Sequence, residues 1–166
     1  MKPIIAVPVA ETIEERMKSL ISPLDFANEM ERHWIDHLGN ISSEALRQVW
    51  MQLAGTFGSH IGGFSPFERW TILQPPTGSG KTQGTIVYCS MLSRLNRQDH
   101  PGVLIVTRRI EDANQIAEQI NKLSGKTDEA VAYHSDAKIS LESLSSFPVL
   151  VICHRAYELA MDAMTD

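Results

Sequence analysis

A glycine-rich octapeptide at residues 75–82, Pro-Pro-Thr-Gly-Ser-Gly-Lys-Thr, constrains the fold of this chain more than any other stretch. An apolar run at 70–73 precedes it, and a helical pattern follows it. The glycines let the backbone curl so that successive N–H groups point inward, while the next helix directs its positive dipole end at the same spot. The sequence therefore predicts a phosphate-binding loop between a strand and a helix.

The octapeptide departs from the general nucleotide-binding pattern at one position. That pattern asks for glycine, four residues and then Gly-Lys-Ser/Thr, whereas Pro75 stands at the first position here. Proline removes one N–H at the loop entrance, but the donors that a phosphate needs lie further along. Lys81 is expected to bridge the β- and γ-phosphates, and Thr82 to place its hydroxyl on Mg²⁺. The predicted nucleotide-binding residues are Thr77, Gly78, Ser79, Gly80, Lys81 and Thr82.

Two other structures could explain a glycine-rich loop of this kind. An ordinary Gly/Ser turn fits the composition, but a strand before and a helix after match the context that the nucleotide-binding motif demands. A dinucleotide-binding fingerprint is excluded, because Gln83 stands where the third glycine would be.

Composition and charge limit the class of protein. At 166 residues, 43% apolar and 21% charged, the chain is large enough for an ordinary globular domain with a real core. Its net charge of −5 gives no whole-chain reason to expect nucleic-acid binding, so any such site must be local.

The cysteines, Cys89 and Cys153, lack metal-ligand spacing and are expected to be reduced and structural. No transmembrane stretch or secretory signal is recognised, so we expect no membrane partner and a cytoplasmic location.

Residues 1–66 are predicted to form a helical amino-terminal segment. One helix begins after a cap at Ser22 and ends at Gly39, and a second follows a cap at Ser42 or Ser43. Residues 55–66, which are rich in glycine, are predicted to be a linker. The apolar stripes are Leu24, Ala27, Met30, Trp34 and Leu38 in the first helix, and Leu46, Val49, Trp50, Leu53 and Phe57 in the second.

Residues 67–166 alternate apolar runs with helical patterns. Continuous apolar runs at 70–73, 103–107, 130–134 and 149–153 are typical of buried strands, and helices are predicted over 81–95 and 110–123. Alternation of this kind predicts an α/β fold with a parallel sheet, whose ligands lie at the carboxyl ends of the strands. The predicted phosphate loop lies at such an end.

The order of these segments resembles a known family, the DEAD/DEAH-like helicases of superfamily two. The octapeptide is similar to their motif I, with Pro75 in place of an alanine. The run 103–109, which ends in Thr107-Arg108-Arg109, is similar to motif Ia, and 149–156 resembles the strand and helix start that precede motif II. The resemblance implies that residues 67–166 form an incomplete P-loop ATP-binding domain, a partial RecA-like fold preceded by the helical segment.

The same resemblance implies roles for individual residues. Lys81 and Thr82 become the catalytic residues, Thr82 the Mg²⁺ ligand, and ATP with Mg²⁺ the cofactors. The implied nucleic-acid contacts, to DNA or RNA, are Thr107, Arg108, Arg109 and His154. A strand-end hydroxyl beside two arginines suits sequence-independent contacts to a phosphate backbone, although on charge alone the arginine pair would be interpreted as a solvated helix entry.

Motif II and the second RecA-like domain of that family have no counterpart in the sequence. We therefore expect the amino-terminal part of an ATP-dependent helicase or translocase, which binds ATP without hydrolysing it as an isolated chain. A non-hydrolysing regulatory nucleotide-binding module remains an alternative, and a small P-loop kinase is disfavoured because the loop lies so far from the amino terminus. An incomplete sheet would expose an apolar edge, so self-association is expected.

Overall fold

The computed structural model describes residues 21–62, 71–96, 100–137 and 139–158. Residues 21–62 contain the two predicted helices: α1 spans Pro23–Arg32 and continues as a π-helical turn, His33–His37, and α2 spans Glu44–Ile61. Ser22 and Ser43 cap these helices, accepting hydrogen bonds from the backbone N–H groups of Asp25 and Leu46. The two N-terminal signals are therefore confirmed.

The predicted linker at 55–66 is wrong over its first part, because α2 continues to Ile61. Gly55 and Gly58 lie inside the helix, and Gly58 is buried where an added Cβ would lie 3.9 Å from the Tyr88 hydroxyl. Packing against a neighbouring helix thus overrides the low helix propensity of glycine. Residues 63–66 lie outside the described residues.

The stripe predicted for the first helix is partly wrong. Ala27 and Met30 are fully buried, but Leu24 and Leu38 are 53% and 39% exposed, and Phe26 is buried instead. In the π-helical turn the Leu38 N–H bonds to the His33 carbonyl, five residues back, which rotates the following side chains away from their α-helical positions. Trp50 and Leu53 of the second stripe are buried, as predicted.

Three parallel strands form a sheet in the order β1-β3-β2. Strand β1 spans Val103–Thr107, β2 spans Ala130–Tyr133 and β3 spans Val149–Cys153. The register pairs Val103 with Val149 and Thr107 with Cys153. The α/β class and these three strands are confirmed, with β2 one residue shorter than predicted.

The strand predicted at 70–73 is wrong for residues 71–73, which have no regular structure; Trp70 lies outside the described residues. Ile72 is 80% exposed, and the Thr71 hydroxyl lies 2.6 Å from His60 Nε2 at the end of α2. A short apolar run becomes a strand only where a partner pairs with it, and that pairing is a non-local choice.

Helix α3 spans Lys81–Leu92, shorter than the predicted 81–95, and α4 spans Ile110–Ser124. A four-residue helix that was not predicted, α5, spans Leu141–Leu144 with Ser140 as its cap. Helix α3 lies between two hydrophobic clusters: its Val87, Tyr88, Met91 and Leu92 pack with α1 and α2, and its Ile86 and Cys89 pack with α4 and the sheet. Among the described helices, none has both the length and the apolarity to cross a bilayer.

Strand β1 is an outer strand of the described sheet, and part of its apolar surface is open. Leu104 is 50% exposed and Val106 is 42% exposed. An apolar outer strand is a surface on which another chain can pair. Self-association through this strand is still a prediction. In sedimentation velocity, we expect the sedimentation coefficient to rise with protein concentration.

Candidate nucleotide and nucleic-acid site

The octapeptide forms a tight turn that leads directly into α3. Gly78 and Gly80 have φ of 82° and 81°, in the left-handed region that favours glycine. Between them, the Ser79 N–H donates to the Pro76 carbonyl at 3.2 Å, which closes the turn. The two glycines are therefore needed for this backbone path.

Helix α3 begins at Lys81, and no side chain caps it. The Gly80 carbonyl accepts the first helical hydrogen bond from the Gly84 N–H, at 2.7 Å. The N–H groups of the first helical turn have no partner within a helix, and they carry the positive end of the helix dipole. The end of the octapeptide thus presents backbone donors that suit an anion.

The side chains around this turn divide into an exposed and a buried set. Thr77, Lys81 and Thr82 are exposed, whereas Ser79 is 4% exposed and faces the core. The Lys81 ammonium folds back to 3.2 Å from the Pro75 carbonyl. Its charge therefore lies across the loop, and the Thr82 hydroxyl is accessible beside it.

A pocket of about 570 Å³ connects the octapeptide to the carboxyl end of β1. Lys81 and Thr82 line it together with Thr107 and Arg108, so the structure brings these four predicted site residues to one cavity. The polar side chains that complete its wall were not predicted as site residues; they are Gln83, Thr85, Asp112, Gln115 and Gln119. The spacing of Gln115 and Gln119, four apart on α4, places those two on one helix face, and no comparable pattern points to Gln83, Thr85 or Asp112.

The two arginines after β1 differ in their electrostatic state. Arg109 makes two hydrogen bonds to the Asp112 carboxylate, at 2.9 and 3.1 Å, and that contact raises the pKa of the Arg109 guanidinium. Arg108 is exposed and has no ion pair with any residue in the described part of the chain. Arg108 therefore offers an uncompensated positive charge at the pocket, and Arg109 does not.

Thr107 and His154 lie at the same edge of the sheet. The Thr107 hydroxyl lies within hydrogen-bond distance of two backbone carbonyls, those of Arg109 at 2.9 Å and Ile152 at 3.3 Å. The proton of this hydroxyl is thus directed at the protein, and its oxygen can still accept. His154 follows the partner strand β3, is exposed, and has Nδ1 3.5 Å from Glu158. It does not line the pocket.

The helical segment packs directly against the octapeptide. At Gly80, an added Cβ would lie 2.9 Å from Met30 Cε and 2.9 Å from Trp34 Cζ3. The Trp50 indole N–H donates to the Ser79 carbonyl at 2.9 Å, and His33 Nε2 lies 2.9 Å from Gln83 Oε1. The stripe pattern had assigned Trp34 and Trp50 to a core, and no sequence signal tied them to this loop.

The cysteines take no part in this site. Both are buried and free, as expected. Burial raises the pKa of the Cys89 thiol to about 12, and the nearby Glu129 charge adds to the shift. Cys89 is therefore protonated at neutral pH and is not a nucleophile.

No family model, no curated protein and no solved structure matches the chain.

Proposed function

We propose that this chain binds ATP with Mg²⁺ at the octapeptide. The observation that carries the proposal is the uncapped start of α3, which follows two left-handed glycines and has the Lys81 ammonium folded across it. Backbone N–H groups and an ammonium converging on one point form a receptor for phosphate oxygens. The exposed Thr82 hydroxyl is the side chain that fits Mg²⁺ on the bound phosphates, because Mg²⁺ takes few protein ligands beside phosphate oxygens.

We further propose that the fold is a partial RecA-like domain of the helicase or translocase type. The supporting observation is the shared pocket, in which Lys81 lies with Thr107 and Arg108 at the end of a parallel strand. Such a pocket would couple a nucleotide to a nucleic-acid backbone at one sheet edge. The pocket's carboxylate, Asp112, is bonded to Arg109, so we expect binding without ATP hydrolysis by this chain.

Replacing Lys81 with alanine tests the nucleotide site. We expect Mg·ATP affinity, measured by isothermal titration calorimetry, to fall roughly 10- to 100-fold, as for loss of a hydrogen bond to a charged group. The fold should be unchanged because Lys81 is exposed. Lys122→Ala, an exposed lysine in the last turn of α4, is the matched control and should bind as the wild type does. Equal affinities for both variants, or no binding by the wild type, would overturn the proposed site.

The neighbouring arginines test the nucleic-acid part. Arg108→Ala should weaken binding of a fluorescent single-stranded oligonucleotide by several-fold, since one uncompensated phosphate contact is lost. Arg109→Ala should have a smaller effect, because Asp112 already neutralises that charge. Fluorescence anisotropy at two salt concentrations measures both. If the two variants lose affinity equally, the unpaired charge of Arg108 does not determine how tightly the oligonucleotide binds.

A further inference from the structure

Trp50 joins the helical segment to the octapeptide by a hydrogen bond inside the core. Its side chain is fully buried, and its indole N–H donates to the Ser79 carbonyl at 2.9 Å. The donor lies on α2 and the acceptor lies 29 residues further along the chain. A buried carbonyl that loses its donor is costly, so this contact resists rotation of the Ser79–Gly80 peptide unit.

The orientation of that carbonyl determines the orientation of the next N–H group. The chain has no cis peptide bond among the described residues, and in a planar trans peptide the carbonyl and the following N–H point in opposite directions. Because the Ser79 carbonyl points into the core at Trp50, the Gly80 N–H points away from the core. Gly80, at φ 81°, has the conformational freedom to let this peptide unit flip if the carbonyl were released.

We propose that Trp50 is a positioning residue for nucleotide binding: its indole N–H holds the Ser79 carbonyl inward and so presents the Gly80 N–H to a phosphate oxygen. This inference rests on the proposed ATP-binding function. The inference gives the helical segment a role in binding, because α2 then orients the Gly80 N–H, which the loop alone would leave free to rotate. Met30 and Trp34 of the α1 segment fill the space beside Gly80 that an added Cβ would need, which restricts the same peptide unit from the other side.

Trp50→Phe removes the donor while keeping an aromatic ring in the core. We expect Mg·ATP affinity to fall about tenfold, since one N–H to a charged oxygen is no longer held in place. Calorimetry is done well below each variant's unfolding midpoint, so that all molecules are folded. The matched control is Phe57→Leu, which trims a ring on the same helix that contacts Tyr88 at a 5.0 Å centroid distance. It should lower the unfolding midpoint and leave ATP affinity unchanged.

A spectroscopic measurement separates positioning from general loosening. In protein labelled with ¹⁵N-glycine, Mg·ATP should shift the Gly80 amide resonance of the wild type strongly and that of Trp50→Phe weakly, whereas Phe57→Leu should follow the wild type. If the wild type binds ATP and Trp50→Phe binds equally well, the positioning role is wrong and the proposed function stands. If both core variants lose affinity alike, the effect is one of stability and the positioning role is again wrong. If the wild type does not bind, the proposed function fails and this inference falls with it.

Discussion

Gly80→Ala is expected to lower the stability of the fold for two separate reasons. It should also weaken ATP binding, because either effect displaces the backbone of the octapeptide. An alanine at φ 81° lies in the left-handed region, which costs roughly 1–2 kcal/mol. Its methyl group would also lie 2.9 Å from Met30 Cε and from Trp34 Cζ3. Met30 can swing its flexible end aside, but the indole ring of Trp34 is rigid, so overpacking adds about 1–3 kcal/mol. Urea unfolding should show the sum as a lower midpoint.

Gly78→Ala provides the matched control for this substitution. Gly78 has nearly the same φ, 82°, but an added Cβ meets nothing within 4 Å. It should therefore show the conformational cost without the packing cost. A double variant, Gly80→Ala with Trp34→Leu, should lose less stability than the sum of the two single variants, because the rigid ring that the new methyl group meets is gone. If Gly80→Ala and Gly78→Ala are equally destabilised, the contact of α1 with the octapeptide contributes nothing.

The elements that could be predicted from the sequence are those whose signals are local. Strands β1 and β3 match the predicted bounds residue for residue because continuous β-branched runs bounded by turns allow few other structures. Helix α4 extends one residue beyond its prediction and ends at Gly125, with φ 70°, a common helix stop. The left-handed conformations of Gly78 and Gly80 likewise follow from the motif itself.

What could not be predicted depends on residues far apart in the sequence. Residues 71–73 have the composition of a strand, yet nothing local specifies a pairing partner, and they remain without regular structure. The reach of α2 through Gly58 depends on Tyr88, a residue of another helix. The bond from Trp50 to Ser79 spans 29 positions, and no periodicity reports it. The backbone turn of the octapeptide is therefore specified by its local sequence, whereas the contacts that pack against it are not.

Glu129→Ala is expected to destabilise the fold by about 1–3 kcal/mol, because it leaves the buried polar groups beside the carboxylate without that partner. Glu129 is 1% exposed, and its carboxylate lies 2.8 Å from His100 Nε2 and 3.4 Å from Lys126 Nζ. The His100 imidazole lies close to the carboxylate without the alignment of a hydrogen bond, so the carboxylate is buried against this ring on one side and near the Lys126 ammonium on the other. Lys126 also donates to the Ser93 carbonyl at 2.5 Å, which ties the end of α3 to the same cluster.

Removal of the carboxylate alone should cost more than removal of the whole pair. Glu129→Ala leaves the His100 side chain, 3% exposed, without the carboxylate, whereas Glu129→Leu with His100→Leu leaves only the Lys126 ammonium, which is partly exposed and still donates to the Ser93 carbonyl. The double variant should therefore recover part of the loss in urea unfolding, and Glu118→Ala, at an exposed position of α4, should stay within about 0.5 kcal/mol of the wild type. A double variant less stable than Glu129→Ala would contradict this account.

The cluster around Glu129 and the proposed ATP site lie at opposite ends of the sheet, so substitutions at the cluster should affect stability and not binding. His100 and Glu129 precede β1 and β2, at the amino ends of the strands, whereas Lys81 and Thr107 share the pocket at the carboxyl end of β1. Below its unfolding midpoint, Glu129→Ala should consequently bind Mg·ATP with wild-type affinity, while folded Gly80→Ala should bind it more weakly than the wild type. Calorimetry on both variants at one low temperature distinguishes them, because a shared loss of affinity would mean that the two ends of the sheet are coupled.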